Sequence, residues 1–337
     1  MTTVAAWAPG RVNLIGDHTD HTGGWCFPIA IERGVAVTGT RGGDRVRLVS
    51  DMEEAVVDLA LDVPDPSSVE PPWGRYVAGV VAQLRPSSGV DARITSTLPV
   101  GVGLSSSAAL EVAVALALGA DPSDVVALAR LCQAAEHAAR GVPTGLLDQL
   151  ASIGGVAGCG LLIDCTALTT TPVPLPPPDE VSWVVVTPPA GRQLAASAYG
   201  ERVAELALAE RAIGPLRDAT PDAVGTLRDA TIRARARHVV GENARVHAFV
   251  DAVRRGALDE AGALMGESHR SLSEDFGSST VAIDELCAAL RRTPGVLGAR
   301  ITGGGWGGAV VALARPGALA AHPAALVVTP SGGAHRG

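Results

Sequence analysis

The chain has 337 residues, 47% of them hydrophobic, and its 27 basic and 35 acidic side chains leave a formal net charge of −8. That length sets a prior of two domains, each with its own core, and the acidic balance argues against a general nucleic-acid or membrane-surface binder. Every basic side chain is arginine; with no lysine, a Walker-type P-loop and any Schiff-base or pyridoxal-phosphate chemistry are excluded.

In chain order, short β-like runs come first: Trp7–Pro9, Val12–Ile15, Phe27–Ile31, Gly34–Thr40, Val46–Ser50 and Val56–Leu59, separated by Gly and Asp turns. Between two of these runs, the segment Gly10–His21 crowds together Arg11, Asp17, His18, Asp20 and His21. Strands buried on both sides rarely tolerate so many ionisable groups in their connection unless a polar ligand sits there. The spacing His18-x-Asp20 puts both side chains on one side of an extended segment. It fits none of the common zinc patterns.

The loop Pro64–Pro72, with four prolines, leads into a helix at Arg75–Leu84, and a strand follows at Ala92–Ser96. The loop Leu98–Gly103 then runs into a long helix that Ser105–Ser107 begin. Gly101 and Gly103 let a ligand approach the backbone, and the free N–H groups of the helix start suit a phosphate; a plain strand-to-helix turn is the competing reading. Asp121-Pro-Ser-Asp opens a helix to about Ala139 that carries Glu136 on an alanine-rich face, either a solvated charge or a Mg²⁺ ligand paired with a serine hydroxyl. Gly141–Thr144 breaks that helix, and a further short helix holds Asp148 and Gln149. Asp148 lies among Leu146, Leu147, Leu150 and Ile153, as a part-buried carboxylate would.

After a strand at Leu161–Asp164, the tract Thr169–Pro178 contains five prolines and reads as a loop or a linker before the strand Trp183–Thr187. The domain boundary is placed there, giving residues 1–180 and 181–337. Helical stretches follow at about 196–212, 222–254, 257–271 and 281–292, then a strand, a Gly-rich loop and a strand over 298–313. That loop, Thr302-Gly-Gly-Gly-Trp-Gly-Gly308, has five glycines in seven residues, which calls for tight turns or backbone proximity to something. His238 and His269 read as helix-surface or packing residues. The five cysteines (Cys26, Cys132, Cys159, Cys165 and Cys287) include no Cys-x-x-Cys pair and read as small buried hydrophobes of a reduced, cytoplasmic protein. The N-terminus lacks the features of a signal peptide, and the best apolar helix, near Ala108–Ala120, carries Glu111 and is too short to span a bilayer.

Taken together the motifs resemble those of the galactokinase family, within the kinase group that includes homoserine, mevalonate and phosphomevalonate kinases. Gly10–His21 is similar to the family signature Gly-Arg-Val-Asn-Leu-Ile-Gly-Glu-His-Thr-Asp-Tyr, and Pro99–Ala108 to the phosphate loop Pro-x-Gly-x-Gly-Leu-Ser-Ser-Ser-Ala. Thr144–Gln149 resembles Cys-Gly-Ile-Met-Asp-Gln, and Thr302–Gly308 the third motif, Thr-Gly-Ala-Gly-Phe-Gly-Gly. Segments at Trp73–Val77, Arg192–Tyr199, Arg235–Val240 and Glu267–Leu272 extend the likeness along nearly the whole chain, in order.

The resemblance implies an α+β fold of two domains, a ribosomal protein S5 domain 2-like N-terminal domain and a ferredoxin-like C-terminal domain, with the active site in the cleft between them. It implies ATP-dependent phosphorylation of D-galactose at the anomeric O1, with Asp148 as the base and Arg11 beside it as catalytic residues. Asp17, His18, Asp20, Gly145 and Tyr199 match sugar-binding positions. Trp73 and Tyr76 match residues near the adenine, and Gly101, Gly103, Leu104, Ser105, Ser106 and Ser107 the phosphate loop. Ser106 and Glu136 match the Mg²⁺ ligands. The expected partners are a small-molecule sugar and Mg-ATP, with no nucleic acid and no membrane, in a cytoplasmic monomer or weak dimer.

The sequence departs from the family pattern at several points. Asp17 stands where the family has glutamate; one methylene less removes about 1.5 Å of reach, and losing the sugar contact costs about 1–3 kcal/mol in discrimination. This keeps open a kinase of the same fold for a C2- or C6-altered galactose or arabinose, and, less favoured, a catalytically silent sensor of galactose and ATP. His21 replaces tyrosine, Thr144 cysteine and Trp306 phenylalanine. Arg315–Val328 leaves little room for the helix that normally precedes the last strand.

Overall fold

The computed structural model describes residues 2–99, 101–141, 144–188 and 195–337. Val100 of the Gly-rich loop, Val142 and Pro143 of the helix break, and residues 189–194 with the start of the Arg192–Tyr199 segment lie outside the described residues.

The first runs of the chain fuse into two long antiparallel strands, β1 (Thr2–Ile15) and β2 (Trp25–Arg41). Register shifts at Pro9/Arg11 and Asn13/Ile15 absorb the irregularity that Gly10 introduces. A Cβ on Gly10 would run into Leu98 and the Leu104 carbonyl, so only glycine lets β1 pass under the Gly-rich loop. β3 (Arg45–Ser50), β4 (Val57–Ala60), α1 (Gly74–Leu84), β5 (Val90–Ser96), α2 (Ser106–Ala117), α3 (Val125–Arg140), α4 (Leu147–Gly154), β6 (Cys159–Asp164) and β7 (Thr169–Pro174) follow. β5 alternates buried and exposed residues because one face of the sheet carries the helices. α2 is buried on nearly every side, sandwiched between β1–β2 and the helices α1 and α3, which explains its unbroken apolar sequence. The reading of Thr169–Pro178 as a loop or linker is corrected here. Its first six residues form β7, which pairs with β6 through Pro172 and Pro174, as an edge strand can.

The remaining elements are β8 (Ser182–Val186), α5 (Ala195–Ile213), α6 (Pro221–Gly225), α7 (Ala230–Arg254), α8 (Leu258–Ser271) with a π-turn over Leu272–Phe276, α9 (Val281–Arg292), β9 (Val296–Ile301), β10 (Val310–Ala314), β11 (Ala325–Val328) and β12 (His335–Arg336). The single helix expected over 222–254 is two helices. Asp229 has extended backbone and accepts from the Thr231 and Ile232 amides, capping a new start.

The second sheet has the order β11-β8-β10-β9, all antiparallel. With these strands counted one to four from β8, the order is 4-1-3-2, the ferredoxin-like arrangement. Its second crossover helix is absent: residues 315–324 are turns, as the short spacing anticipates. The first sheet runs β12-β1-β2-β5-β3-β4, with β6 on β2 and β7 on β6. Residues from Thr329 on return to it, through a bridge from Pro330 to Ile31 and through β12 on β1.

The two halves share apolar surface. Along β8 and β10, Trp183, Val185, Val311 and Leu313 join the larger core cluster under the first sheet. Their strand neighbours Val184, Val186, Val310 and Ala312 join the second cluster with α9. Strand alternation thus makes the second sheet the partition between two cores. The α+β, two-domain fold class expected from the sequence is the one observed.

Candidate active site

Asp148 enters on the first turn of α4, where Arg11 from β1 and Ser105 from the N-terminus of α2 meet it. Arg11 donates through Nε at 2.7 Å and approaches through Nη2 at 2.6 Å, both to Oδ1, while Ser105 donates to Oδ2. The remaining Arg11 nitrogen, Nη1, donates to the Gly103 carbonyl at 2.9 Å, so one guanidinium ties Asp148 and the Gly-rich loop together. Ser105 is the N-cap of α2, yet its hydroxyl makes no cap bond; it is spent on Asp148, and the residue takes a left-handed backbone with φ 57°. His18 (φ 64°) and Trp306 (φ 49°) are left-handed too, each at a cost of about 1–2 kcal/mol. Such conformations persist where surrounding contacts over-determine them, as at binding sites.

The ionisable turn after β1 folds over the same space. Asp17 is buried, accepting from Arg300 Nη2 at 2.5 Å and from the Gly303 amide at 3.0 Å. Burial raises its carboxyl above the ordinary range despite the Arg300 charge. The Gly-rich loop between β9 and β10 therefore serves Asp17 through its backbone. His18 is buried, stacked on Phe276 at 4.3 Å, with both ring nitrogens lacking a partner among the described residues. Burial, reinforced by His21, drives its pKa well below the usual value, so the ring is neutral. Burial alone would raise Asp20, but the hydrogen bond and charge of His21, with His18, outweigh it and the net shift is downward. Tyr199 on α5 stands 5.8 Å from the His18 ring and 5.9 Å from that of His21. Burial and the Asp20 charge keep its phenol protonated. A Cβ on Gly145 would overlap the Asp20 carboxylate, which is why glycine stands there.

At the other end, Glu136 of α3 is buried and accepts from Ser107 (3.2 Å), Arg140 (3.3 Å), Thr144 (3.3 Å) and Gln149 (3.1 Å). The reading of Glu136 as a solvated helix charge is thereby set aside.

One cavity of about 180 Å³ gathers Arg11, Asp17, His18, Asp20, Gly101, Gly103, Ser105, Ser106, Ser107, Glu136, Gly145, Asp148 and Tyr199. That is below the roughly 300–1,000 Å³ of drug-sized sites and suits a small polar molecule. Leu104, Trp73 and Tyr76 do not line it. Leu104 is in the core with its carbonyl on the Arg11 amide, Trp73 caps α1 with its indole on the Ala55 carbonyl, and Tyr76 lies one turn further along that helix. Arg140 and Gly304 also line the cavity, and Arg300 supports it from behind. Sequence reasoning missed Arg140 and Arg300, whereas Gly304 belongs to the Gly-rich motif Thr302–Gly308; Arg140 had a local signal, its i+4 spacing from Glu136. Of the two readings for His238 and His269, packing is the one observed, both being buried, and His238 Nε2 lies 3.2 Å from the Asp17 carbonyl. Cys159 and Cys165 are only half-buried, a correction to the expectation for all five cysteines.

The sequence matches the galactokinase galactose-binding signature over residues 2–41, the GHMP kinases N terminal domain over 75–156 and the GHMP kinases C terminal domain over 249–322. It is 40% identical to the galactokinase of Homo sapiens, over 92% of this chain and 83% of that protein. It is 42% identical to that of Roseiflexus sp. (strain RS-1), over 91% and 82%. The structure superposes on Lactococcus lactis galactokinase complexed with galactose with a TM-score of 0.90 at 29% identity, covering 99% of this chain and 95% of that one. A mevalonate kinase from Methanococcus jannaschii shares the fold at a TM-score of 0.69 and 16% identity. No helix among the described residues is long and apolar enough to cross a membrane. With its signature segment, its two kinase domains and its fold all matching, the chain belongs to the galactokinase family.

Proposed function

We propose that this chain transfers the γ-phosphoryl group of ATP to the anomeric O1 of D-galactose, giving galactose 1-phosphate and ADP. The observation that carries the reading is the Arg11–Asp148–Ser105 cluster, set in one cavity between the polar turn Asp17–His21 and the Gly-rich loop. Phosphoryl transfer is mostly positioning plus charge stabilisation. Asp148 is held at both oxygens and its side chain is 31% exposed, so it remains open to a hydroxyl in the cavity and accepts the proton from O1. Arg11 keeps that carboxylate oriented and places positive charge beside the transferring group. Asp17, His18, Asp20, Gly145 and Tyr199 surround the sugar, with the neutral His18 ring free to donate and accept. Gly101, Gly103 and Ser105–Ser107 take the phosphates at the start of α2, with Trp73 and Tyr76 towards the adenine.

The donors at the phosphate end are hard oxygens: the Ser106 and Ser107 hydroxyls and the Glu136 carboxylate. No group of three or more His, Cys, Asp or Glu among the described residues could hold a metal alone. One carboxylate plus nucleotide phosphates is a common Mg²⁺ set, so Ser106 and Glu136 fit as its protein ligands. When bound, Mg²⁺ would offset the charge that spreads over the phosphate oxygens. In this reading the protein acts in the cytoplasm as a monomer or weak dimer, and its two units divide at 180/181, between β7 and β8, with the residues from Thr329 on returning to the first unit's sheet.

Asp148→Asn tests the proposal. Loss of the base lowers kcat for galactose by about 10²–10⁴, and unchanged turnover of galactose and Mg-ATP overturns the reading. A second reading keeps the chemistry and changes the sugar, to a C2- or C6-altered galactose or arabinose. It is favoured by Asp17, whose two oxygens are already taken by Arg300 and Gly303. A clear kcat/KM preference for plain galactose over those sugars removes it.

A further inference from the structure

The turn that follows Asp17–His21 is gripped from the C-terminal half of the chain by a residue that no motif singled out. Arg217 lies four residues beyond the end of α5. Its guanidinium forks onto Asp164 at the end of β6, with Nη1 on Oδ1 at 2.6 Å and Nη2 on Oδ2 at 2.8 Å. The same Nη1 donates to the Gly23 carbonyl at 2.8 Å, and the guanidinium carbon sits 4.9 Å from the centroid of the Trp25 ring. Asp164 is committed to this role: it also accepts from the Thr166 and Ala167 amides, and the Arg217 hydrogen bond, against burial, lowers its pKa to about 2. Two residues of α7 grip the same spot, Asn243 accepting from the Trp25 amide at 2.9 Å and His247 standing edge-on to the Trp25 ring at 4.7 Å.

Gly23 and Trp25 in turn close the polar turn. The Gly24 amide donates to the Thr19 carbonyl at 2.8 Å, and the Thr19 hydroxyl donates to the Trp25 carbonyl at 2.7 Å. His18 and Asp20 flank Thr19, and α5, which carries Tyr199 against His18 and His21, leads directly to Arg217. The segment from Tyr199 to Arg217 therefore meets the polar turn at both ends.

We propose that Arg217 is a positioning residue for the sugar: bridging Asp164 and the Gly23 carbonyl, it holds the Asp17–Thr22 turn in its binding geometry from the C-terminal half of the chain. This rests on the reading of that turn as the sugar site. A bidentate pair is needed, because a lysine reaches only one of the two acceptors at a time. The strap touches neither Asp148 nor the Gly-rich loop, so its loss acts on sugar binding rather than on the nucleotide.

The test is a set of Arg217→Gln, Arg217→Lys, Asp164→Asn and the double variant Arg217→Gln/Asp164→Asn. Arg217→Gln is expected to raise KM for galactose about three- to tenfold, the size of effect typical of a residue that acts through a neighbour. KM for ATP stays within about twofold. Arg217→Lys falls between wild type and Arg217→Gln, and the double variant matches the worse single one, because both break one strap. In the sugar-free proteins, amide hydrogen exchange at residues 20–26 speeds up in Arg217→Gln while β5 and α2 stay protected. Unchanged KM for galactose, parallel changes in both KM values, additive single effects, or unaltered exchange at 20–26 would each overturn the proposal. The exchange measurement uses no sugar, so it decides the strap separately from the identity of the substrate, which wild-type turnover decides.

Discussion

Arg300 lies at the centre of the buried charge cluster, and removing it tests how that cluster holds the site together. Its side chain is fully buried, with Nη2 at 2.5 Å from Asp17 and 3.8 Å from Glu242. Glu242 has other partners: Arg245 at 2.7 Å, the Ser268 hydroxyl at 2.5 Å and the Gly16 amide at 3.0 Å. With Arg300 gone, Asp17 keeps the Gly303 amide at 3.0 Å and the more distant charge of Arg11. Arg300→Met therefore leaves one buried carboxylate without its ion-pair partner, and breaking such a pair costs about 3–5 kcal/mol. Protonation of Asp17 sets a ceiling on that cost. That ceiling is the span from its folded-state pKa to pH 7 at about 1.36 kcal/mol per unit, and because burial already raises that pKa above 3.8 it lies below about 4 kcal/mol.

The expected loss at pH 7 is therefore about 3 kcal/mol, or about 4 °C in Tm at an unfolding entropy of about 0.7 kcal/mol/K for 337 residues. Urea unfolding followed by circular dichroism between pH 5 and 8 measures it. The deficit shrinks as pH falls, because protonating Asp17 removes the orphaned charge, and Arg300→Met/Asp17→Asn regains at least half of it. A variant within about 1 kcal/mol of wild type at pH 7, well short of a broken buried pair, refutes the argument. So does a deficit that is the same at pH 5 and pH 8.

Two further outcomes follow from buried titratable groups. Burial holds His238 neutral, lowering its pKa from 6.5 to about 4. The unfolded chain therefore takes up a proton first, and stability present above pH 6.5 drains away as pH falls towards 4. The gap of 2.5 units is worth about 3 kcal/mol. His238→Gln should flatten this part of the stability profile in urea titrations, and an undiminished slope counts against it. Glu111 on α2 behaves in the opposite sense. It is completely buried, neither oxygen has a hydrogen-bond partner among the described residues, and burial followed by the Glu136 charge raises its pKa well above 4.5. Folding then loses about 1.4 kcal/mol for each pH unit above 4.5 over which the folded carboxyl stays protonated. Glu111→Gln is expected to match wild type near pH 4.5 and to be more stable at pH 8; a less stable variant at pH 8 refutes it.

What the sequence made legible is local. The polar turn after β1, the serines opening α2 and the carboxylate on α4 are short stretches in which side-chain chemistry conflicts with its apolar surroundings, and each lines the cavity. The partners that hold them come from far along the chain. Arg11 meets Asp148 across 137 residues, and Arg300 meets Asp17 across 283. Nothing near Arg300 distinguishes it from a strand-end surface arginine; only the pairing of β9 with β10 turns it inward. The misplaced elements have equally physical causes. Prolines that rule out a central strand are tolerated in β7 because it is an edge, and Asp229 caps a new helix where apolar periodicity runs on uninterrupted. His238 looks like any helical histidine until α8 and the polar turn close over it.

The lack of lysine shapes how the proposed reaction manages charge. A lysine at position 11 would offer one compact ammonium on a flexible stem, able to neutralise phosphate but not to fix two neighbours in a set geometry. Arg11 instead grips Asp148 with one edge of its fork and the Gly103 carbonyl with the remaining nitrogen. It is buried, and none of its three nitrogens is left without a partner. Its charge is therefore spent on holding Asp148 and the loop in register, and in the proposed reaction it acts on the phosphoryl group through space. In that proposal phosphate binding falls to the backbone amides at the start of α2, beside Arg140, which lines the cavity and leans on Glu136 at 3.3 Å. The Arg11 fork holds the Gly103 loop against Asp148, so the proposed reaction relies on where that loop is held.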